Sequence, residues 1–589
     1  MLKSDNLLLT CSFMNKMHTP LTSYFYCVLW TSLIFIIFGW DALMNHGVLG
    51  YDGAEIWAFV WGHHWMDEAL RNYSWPYETN LLDFPNGGVL WLKDPIMLIL
   101  MHPIRSLFGI QKAVLLSQYL LFLLASLSTF IVAQLHHISV RLSIFCGLAY
   151  AFCPHAIGEA YNGNLEAISH GWLPLWFASW IALLENPSLK RSILAALTLF
   201  VLLVSNQYWG IAMAFSGIAT LPMLYKHNWK KRGLILSSVI GGGFLFIPIA
   251  RSIWGSLHAP FRLNDVTGGS VPQQPPYLSD ITELWAPLSQ SAEQTPFQDI
   301  LYVGLLLIVI SFFALFSTIQ NKSRNYFHIL YPLLGVWYLI LMLGPVLYYK
   351  GHIVQLAQGE RIHLPWWYLF QKVEVLSWMT LPHRMAIPAS LFLTLSASIW
   401  LNQQKHFSWL FCAILLEIWL VPPYQIPIVS TTLLPAEHAG FLSTLPKGAV
   451  LNLPINLYSN TQRKYLWYQT QHKYPIAAHF RYSMLPRISE KSGFLSYSFD
   501  IKKAPLPSAE NLDPLEKEAL YEAGYRYIVV HKEFIQEQLH MSHEEYARWM
   551  NIHMGEGIIL DDAYVYPLDK SIFGEHILSY RSTFSLGLP

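Results

Sequence analysis

Long uncharged apolar runs, separated by short polar breaks, occupy most of the first 423 residues. Residues 22–40 carry no charge and are long enough to cross a bilayer at about 1.5 Å per residue. Ten further runs follow, at 113–134, 142–156, 170–185, 192–206, 209–225, 233–250, 300–319, 326–348, 385–401 and 407–423. The pattern predicts a polytopic α-helical membrane protein with about 11 spans. The apolar stretch 95–107 contains Pro103 and is shorter than the roughly twenty residues a span needs, so it reads as a helix lying at the interface. Beyond residue 423 the pattern changes. Short runs at 449–454, 525–530 and 557–560, bounded by turn residues, read as strands, and 508–523 and 542–550 read as helices. The expected division is a transmembrane domain over 1–423 and a small α/β domain over 424–589.

Basic residues orient the spans. Lys3 and Lys16 precede the first, and Arg141, Lys190-Arg191, Lys226 with Lys230-Lys231-Arg232, Lys322 with Arg324, and Lys405 occupy alternate short loops. All fall on one side if 95–107 does not cross, which the positive-inside rule makes the cytoplasmic side. The expectation is a multi-pass protein of the cell (inner) membrane with a cytoplasmic N-terminus and an extracytoplasmic C-terminal domain. The first twenty residues lack a cleavage site, so the first span reads as a retained anchor.

Composition agrees with a membrane class. Hydrophobic residues make up 53% and charged residues only 13%, against about 25% in ordinary globular chains. Several tryptophans (Trp30, Trp40, Trp91, Trp172, Trp209, Trp254, Trp378) stand at the ends of apolar runs, where interfacial belts place them. A net formal charge of zero argues against a nucleic-acid partner. Cys11, Cys27, Cys146, Cys153 and Cys412 show neither metal-ligand spacing nor a paired framework and read as small apolar side chains.

Candidate chemistry concentrates on the outer side. Loop 41–112 carries Asp41, Asp52, Glu55, Asp67, Glu68, Glu78, Asp83 and Asp94. Asp52 and Glu55 stand three apart and would share a face on a helix. A carboxylate there can take a proton from an acceptor hydroxyl or hold a divalent cation that neutralises a phosphate. The plain alternative is an acidic turn that caps a helix. His63 and His64, adjacent on a helix, point in different directions and make a poor metal pair. The connector 154–174 brings His155, Glu159, Asn162, Asn164, Glu166 and His170 to the same side, either as part of one site or as a hydrated, capped link. Tyr208 and Trp209 at the next outer turn suit stacking on a sugar or anchoring at the interface. Loop 251–299 adds Arg262, Asp265, Asp280 and Glu283. Outer basic residues are scarce, and Arg361 and Arg384 are the candidates for a phosphate, with snorkelling to headgroups as the alternative. Glu417 lies within the last span, near its outer end.

The order of first span, acidic loop, short interfacial helix and second span resembles the GT-C class of integral membrane glycosyltransferases, and a bacterial branch of it most closely. The matching residues are Gly50-Tyr51-Asp52 with Trp57 and Trp61, Phe84-Pro-Asn-Gly87, Trp172-Leu-Pro-Leu175, Tyr208-Trp-Gly210, Leu343-Gly-Pro345 and Pro382-His-Arg384. In the tail they are Tyr468-Gln-Thr-Gln-His472 and Tyr527-Ile-Val-Val-His531. The resemblance implies transfer of a sugar from a polyprenyl-phosphate donor to a glycan, lipid or protein acceptor on the non-cytoplasmic face, with Asp52 as the catalytic carboxylate. Tyr51 separates Gly50 from Asp52, where the family places the Asp directly after the Gly. No Asp-x-Asp or Asp-Glu pair stands beside Asp52, so the resemblance assigns no metal. Two other readings compete: a non-catalytic transporter or assembly factor for lipid-linked glycans, and a structural membrane protein whose tail binds a partner.

Overall fold

The computed structural model describes residues 21–52, 55–85, 87–90, 92, 94–257, 280–285, 300–320, 326–356, 359–373, 381–404, 409–454, 463–478, 515–539 and 542–569. Each apolar run of the sequence contains a helix. In chain order these are Leu21–Phe38, Ile110–Leu135, Val140–Ala151, Trp172–Glu185, Leu189–Ser205, Gln207–Thr220, Trp229–Leu257, Leu305–Gln320, Tyr326–Met342, Ala386–Gln403 and Leu410–Leu420. Five helical stretches among the described residues are long and apolar enough to cross a membrane, or six if Val140–Ala151 and Pro154–Tyr161 form one span. These two meet at 42°. The break falls where Cys153 is extended (φ −67°, ψ 154°) and Pro154 opens the second helix. Proline suits that first helical position and forces its predecessor out of the helical region.

The membrane reading rests on this apolar helical body. Helix Trp229–Ser252 has only 17% of its apolar window buried within the protein, whereas Pro382–Gln403 has 89%, so the first faces the surroundings and the second is central. The stretch 95–107 forms two short helices, Pro95–Leu100 and His102–Phe108. The longer, of seven residues, is only about 10 Å long and cannot cross. The tryptophan belt is partial. Trp30 and Trp40 are exposed, but Trp172 and Trp209 are buried in the core. Cys27, Cys146 and Cys153 are buried and Cys412 is exposed, all as free thiols. Trp91, Trp378, Arg262, Asp265 and Cys11 lie outside the described residues.

The tail carries a four-stranded sheet in which Tyr525–His531 is central. It pairs in parallel with Ala449–Leu453 (Leu451 opposite Ile528) and antiparallel with Ala563–Pro567 (Val565 opposite Val529), and Ile558–Ile559 adds an edge. The strand Ala563–Pro567 was not legible as one in the sequence. Alternate residues of the central strand enter different cores. Tyr527 and Val529 join the large core shared with the helical body, and Ile528 and Val530 join a second core confined to the tail apart from a flanking contact with Phe84. Burial on both faces explains why this strand reads as an unbroken apolar run.

Three contacts lock the tail to the loop after the first helix. Val48–Leu49 pairs antiparallel with Ser430–Thr431. Asp41 Oδ2 accepts bonds from Ser430 N at 2.8 Å and Ser430 Oγ at 2.6 Å. Phe84 N donates to Ile476 O at 3.1 Å. Helix Lys464–His472 then lies along helix Ile56–Arg71, where Trp61 Nε1 donates to Gln469 Oε1 at 2.7 Å and Trp57 stacks on Trp467.

Candidate active site

Chain segment 50–55 rests on the turn at 161–163. Tyr51 N donates to Tyr161 O at 3.0 Å and Glu55 N to Asn162 O at 3.1 Å. The approach requires two glycines. Gly50 has φ +123°, and a Cβ there would lie 2.8 Å from Gly163 Cα; a Cβ on Gly163 would lie 2.7 Å from Ile56 Cβ. Only after this close contact does the chain begin helix Ile56–Arg71, with Glu55 as its N-cap residue. Asp52 therefore lies in the turn before the helix, and the shared helical face expected for Asp52 and Glu55 does not form.

Both carboxylates meet cations from the tail. Asp52 Oδ2 accepts from Lys464 Nζ at 2.8 Å, and Asp52 Oδ1 accepts from Trp57 Nε1 at 3.0 Å. Glu55 pairs with Arg463 at 2.7 Å. Lys464 also reaches Glu533 at 3.5 Å and lies over the Trp57 and Phe534 rings. Burial by itself would lower the Lys464 pKa, but the bond to Asp52 and the fields of Asp52 and Glu533 hold it above the usual lysine value. The Asp52 side chain is still 52% exposed. A carboxylate offers about four lone-pair sites, so the two bonds orient it and leave others open.

Behind this pair lies Arg384, only 3% exposed. Its Nη1 donates to Glu166 Oε1 at 3.1 Å, and its guanidinium lies 4.8 Å from the Tyr208 ring centroid. Tyr208 OH in turn accepts from Leu381 N at 3.0 Å, next to the short helix Pro382–Met385 that carries Arg384. The Nε of Arg384 has no protein partner. Glu159 and Glu55 add their fields to those of Glu166 and Tyr208 at this guanidinium. Burial within protein removes the snorkelling alternative for Arg384. Glu159 is wholly buried, accepts from Asn164 Nδ2 at 2.9 Å and faces His155 at 3.6 Å.

Other expected residues lie elsewhere. His170 bonds Ile168 O at 2.9 Å and packs against Tyr150 and Phe122. Trp209 is fully buried and has no face for a sugar. Arg361 bridges to Gln355 in the segment that includes hairpin Tyr348–Ile353, and its charge reaches Tyr348. His63 bonds Arg105 at 3.2 Å, which in turn holds Asp67 at 3.0 Å, a buried structural cluster. Asp280 caps Ile281–Leu284, and burial pushes the neighbouring Glu283 up to about 8, with Asp280 adding to the shift. Glu417 caps helix Leu305–Gln320 from outside, accepting from Leu305 N at 2.7 Å and Leu306 N at 3.0 Å, a local pairing.

Sequence reasoning missed two residues, and named a third, Asp94, only among the carboxylates of the acidic loop. Arg463 and Lys464 come from more than 400 positions away, and no local pattern ties them to the loop. Asp94 did carry a signal, an Asp immediately before a proline that opens a helix. It is fully buried, caps Met97 N at 3.2 Å, and accepts from Trp172 Nε1 at 3.0 Å and Ser205 Oγ at 3.1 Å. It thereby ties the acidic loop to the helices behind the connector.

No three His, Cys, Asp or Glu side chains among the described residues converge as a metal-ligand set. Asp52 and Glu55 are each paired with a cation of the tail, Lys464 and Arg463.

The tail also has a buried imidazole cluster beside this site. His438 Nδ1 bonds Asp562 Oδ2 at 2.7 Å and packs edge-on to His531, 4.8 Å between ring centroids. Burial, with His438 nearby, lowers His472 to about 3, and burial with His438, His472 and Lys464 takes His531 well below its ordinary value. The unfolded tail therefore binds more protons below pH 6.5. Stability is present above that pH and lost as pH falls from 6.5 toward 3. Each histidine should raise the opening constant by up to about ten-fold per pH unit. Amide exchange of Tyr525–His531 in the full chain, followed from pH 7 to pH 4, checks this, and a flat profile refutes it.

No family model matches the chain, and no curated protein sequence matches it. Solved structures do. The arabinofuranosyltransferase AftD from Mycobacteria superposes with a TM-score of 0.53 at 13% identity over 93% of this chain. The match covers 41% of AftD, so this chain spans well under half of that enzyme's length. The oligosaccharyltransferase AglB of Archaeoglobus fulgidus, solved with an inhibitory peptide and a dolichol-phosphate, gives 0.48 at 10% identity over 90% of this chain and 71% of AglB. ArnT of Cupriavidus metallidurans gives 0.40 at 11% identity over 94% and 99%. The apolar helical body thus shares its overall fold with the arabinofuranosyltransferase AftD.

Proposed function

We propose that this protein transfers a sugar from a polyprenyl-phosphate donor to an acceptor hydroxyl on the non-cytoplasmic face of the membrane. The observation that carries the reading is Arg384. It is a buried guanidinium held by Glu166 and Tyr208, with Nε left without a protein partner, on the side of the molecule where Asp52 remains reachable. A buried, oriented arginine suits a phosphate oxygen better than a mobile lysine does.

In this reading Asp52 takes the proton of the acceptor hydroxyl as its oxygen attacks the anomeric carbon. The bond from that carbon to the phosphate oxygen breaks, and its electron pair leaves with polyprenyl phosphate, giving inversion. Arg384 stabilises the charge growing on the departing phosphate. Lys464 and Trp57 orient Asp52, and Arg463 holds Glu55. The donor already carries a good leaving group, so placement of the acceptor supplies most of the remaining rate. The fold shared with an arabinofuranosyltransferase supports glycosyl transfer as the reaction class.

The ion pairs on both carboxylates favour a second reading, a non-catalytic carrier or assembly factor for lipid-linked glycans. Lipid extraction from a deletion strain separates the two. Accumulation of a polyprenyl-phosphate monosaccharide supports transfer, and accumulation of a completed lipid-linked glycan supports the carrier.

Orientation has its own check. In a background without the native cysteines, Ser459→Cys should react with an impermeant maleimide in whole cells, and Ser188→Cys should react only after lysis. The reverse pattern would put the acidic loop in the cytoplasm and end the proposal.

A further inference from the structure

A second polar cleft lies at the other end of the helices. Leu49, three residues before Asp52, is bonded through its N–H to Gln118 near the start of helix Ile110–Leu135. That helix has 26 residues and runs about 39 Å to its far end. There a cavity of about 350 Å³ is lined by Leu135, His136, Glu185, Lys226, His227 and Phe327, among others. It lies on the side of the basic loops, beside Arg191 and Arg232.

The lining has a definite charge layout. Glu185 ends helix Trp172–Glu185, and His136 is the C-cap of Ile110–Leu135, so two helix C-termini reach the cavity. The carbonyls at the end of helix Trp172–Glu185 are taken by Arg191 and His227, so the Glu185 carboxylate is the acidic group that remains for a ligand. Lys226, from the turn Leu221–Lys226, supplies an ammonium on another wall. Its field and that of Arg191 reach Glu185, yet no ion pair within 4 Å ties either to that carboxylate among the described residues. Arg191 holds the helix end, donating through Nη1 to Ala182 O at 2.8 Å and Asn186 O at 3.2 Å. Arg232 donates through Nε to Leu224 O at 3.1 Å and His227 O at 2.8 Å. His227 Nε2–H closes the floor by donating to Leu184 O at 2.5 Å. Leu135, Met223 and Phe327 leave an apolar flank.

One carboxylate, an exposed ammonium and an apolar flank complement a ligand bearing a primary ammonium, a phosphate and hydrocarbon. We infer that this cleft is a binding site for a phosphatidylethanolamine headgroup, with Glu185 taking the ammonium and Lys226 the phosphate. It is separate from the candidate active site and does not depend on the reaction assigned there.

The test uses the purified, delipidated full chain titrated with phosphatidylethanolamine, phosphatidylglycerol or phosphatidylcholine of identical acyl chains, with binding read by native mass spectrometry. Phosphatidylethanolamine should bind about five-fold tighter than either of the others. Glu185→Gln should remove that preference while leaving phosphatidylglycerol binding intact. Lys226→Gln should weaken phosphatidylethanolamine and phosphatidylglycerol alike. Equal binding of the three lipids by the unaltered chain overturns the inference, and so does a preference that survives both substitutions. Both side chains are exposed on the cleft wall, so the variants should fold; one that does not melt as the unaltered chain does is replaced by Glu185→Asp or Lys226→Arg.

Discussion

Asp52→Asn should lower turnover by about 10²–10⁴-fold, the range lost when a general base is removed. The substitution keeps side-chain shape and its bond from Trp57, and removes the charge that holds Lys464 and the capacity to take a proton. Asp52 is half-exposed, so protein level and membrane insertion should stay normal. Loss of the Lys464 pair from a site this exposed should cost at most about 1 kcal/mol. Turnover is measured with a polyprenyl-phosphate sugar in membranes carrying the unaltered or altered chain at equal amounts. A fully active Asp52→Asn chain would move the base to Glu55 or Glu166. If all three could be neutralised without loss of cellular function, the carrier reading would stand instead.

Arg384 should give the other large effect, and in two separable parts. Arg384→Gln leaves the Glu166 carboxylate, 13% exposed, without its counter-charge. Breaking a buried pair from one side costs about 3–5 kcal/mol, so thermal stability should fall sharply. Pairing it with Glu166→Gln should restore most of that stability, because neither partner is then a lone buried charge. Transfer should not return, since the group that meets the phosphate is still missing. Arg384→Lys keeps the charge and loses the planar fork, and should raise the donor KM by about ten-fold with little change in melting temperature. If the double variant recovers both stability and transfer, Arg384 is a structural ion pair and the donor phosphate is held elsewhere.

The contact between loop and tail gives these experiments a common frame. Lys464 touches Asp52, Glu533, Trp57 and Phe534, so it joins the acidic loop, the tail sheet's flank and the candidate base. A change in the tail can therefore alter turnover without touching the helical body. Acid conditions that open the tail through His472 and His531 should release Lys464 from Asp52 as well, and the two effects should appear over the same fall from pH 6.5.

Uncharged apolar runs were enough to locate the eleven helices named first above, because a run without charges has few other ways to satisfy its backbone in an apolar surrounding. Strands 449–453 and 525–531 were legible as short apolar runs, since that signal is local. Asp52, Glu166, Arg384 and Tyr208 could be nominated for the same reason, being polar groups at the outer ends of apolar helices. What the sequence could not supply was pairing at a distance. Glu166 with Arg384 spans 218 positions and Lys464 with Asp52 spans 412. Neither partner looks unusual in its own neighbourhood. Nor could it separate Tyr208, which meets Arg384, from Trp209, which is sealed in the core, or tell that His170 bonds a backbone carbonyl. Those outcomes depend on which side of a helix the packing covers, and on two glycines, Gly50 and Gly163, that let two backbones touch. Local propensity determines the elements; burial and close approach between distant segments decide which charges meet.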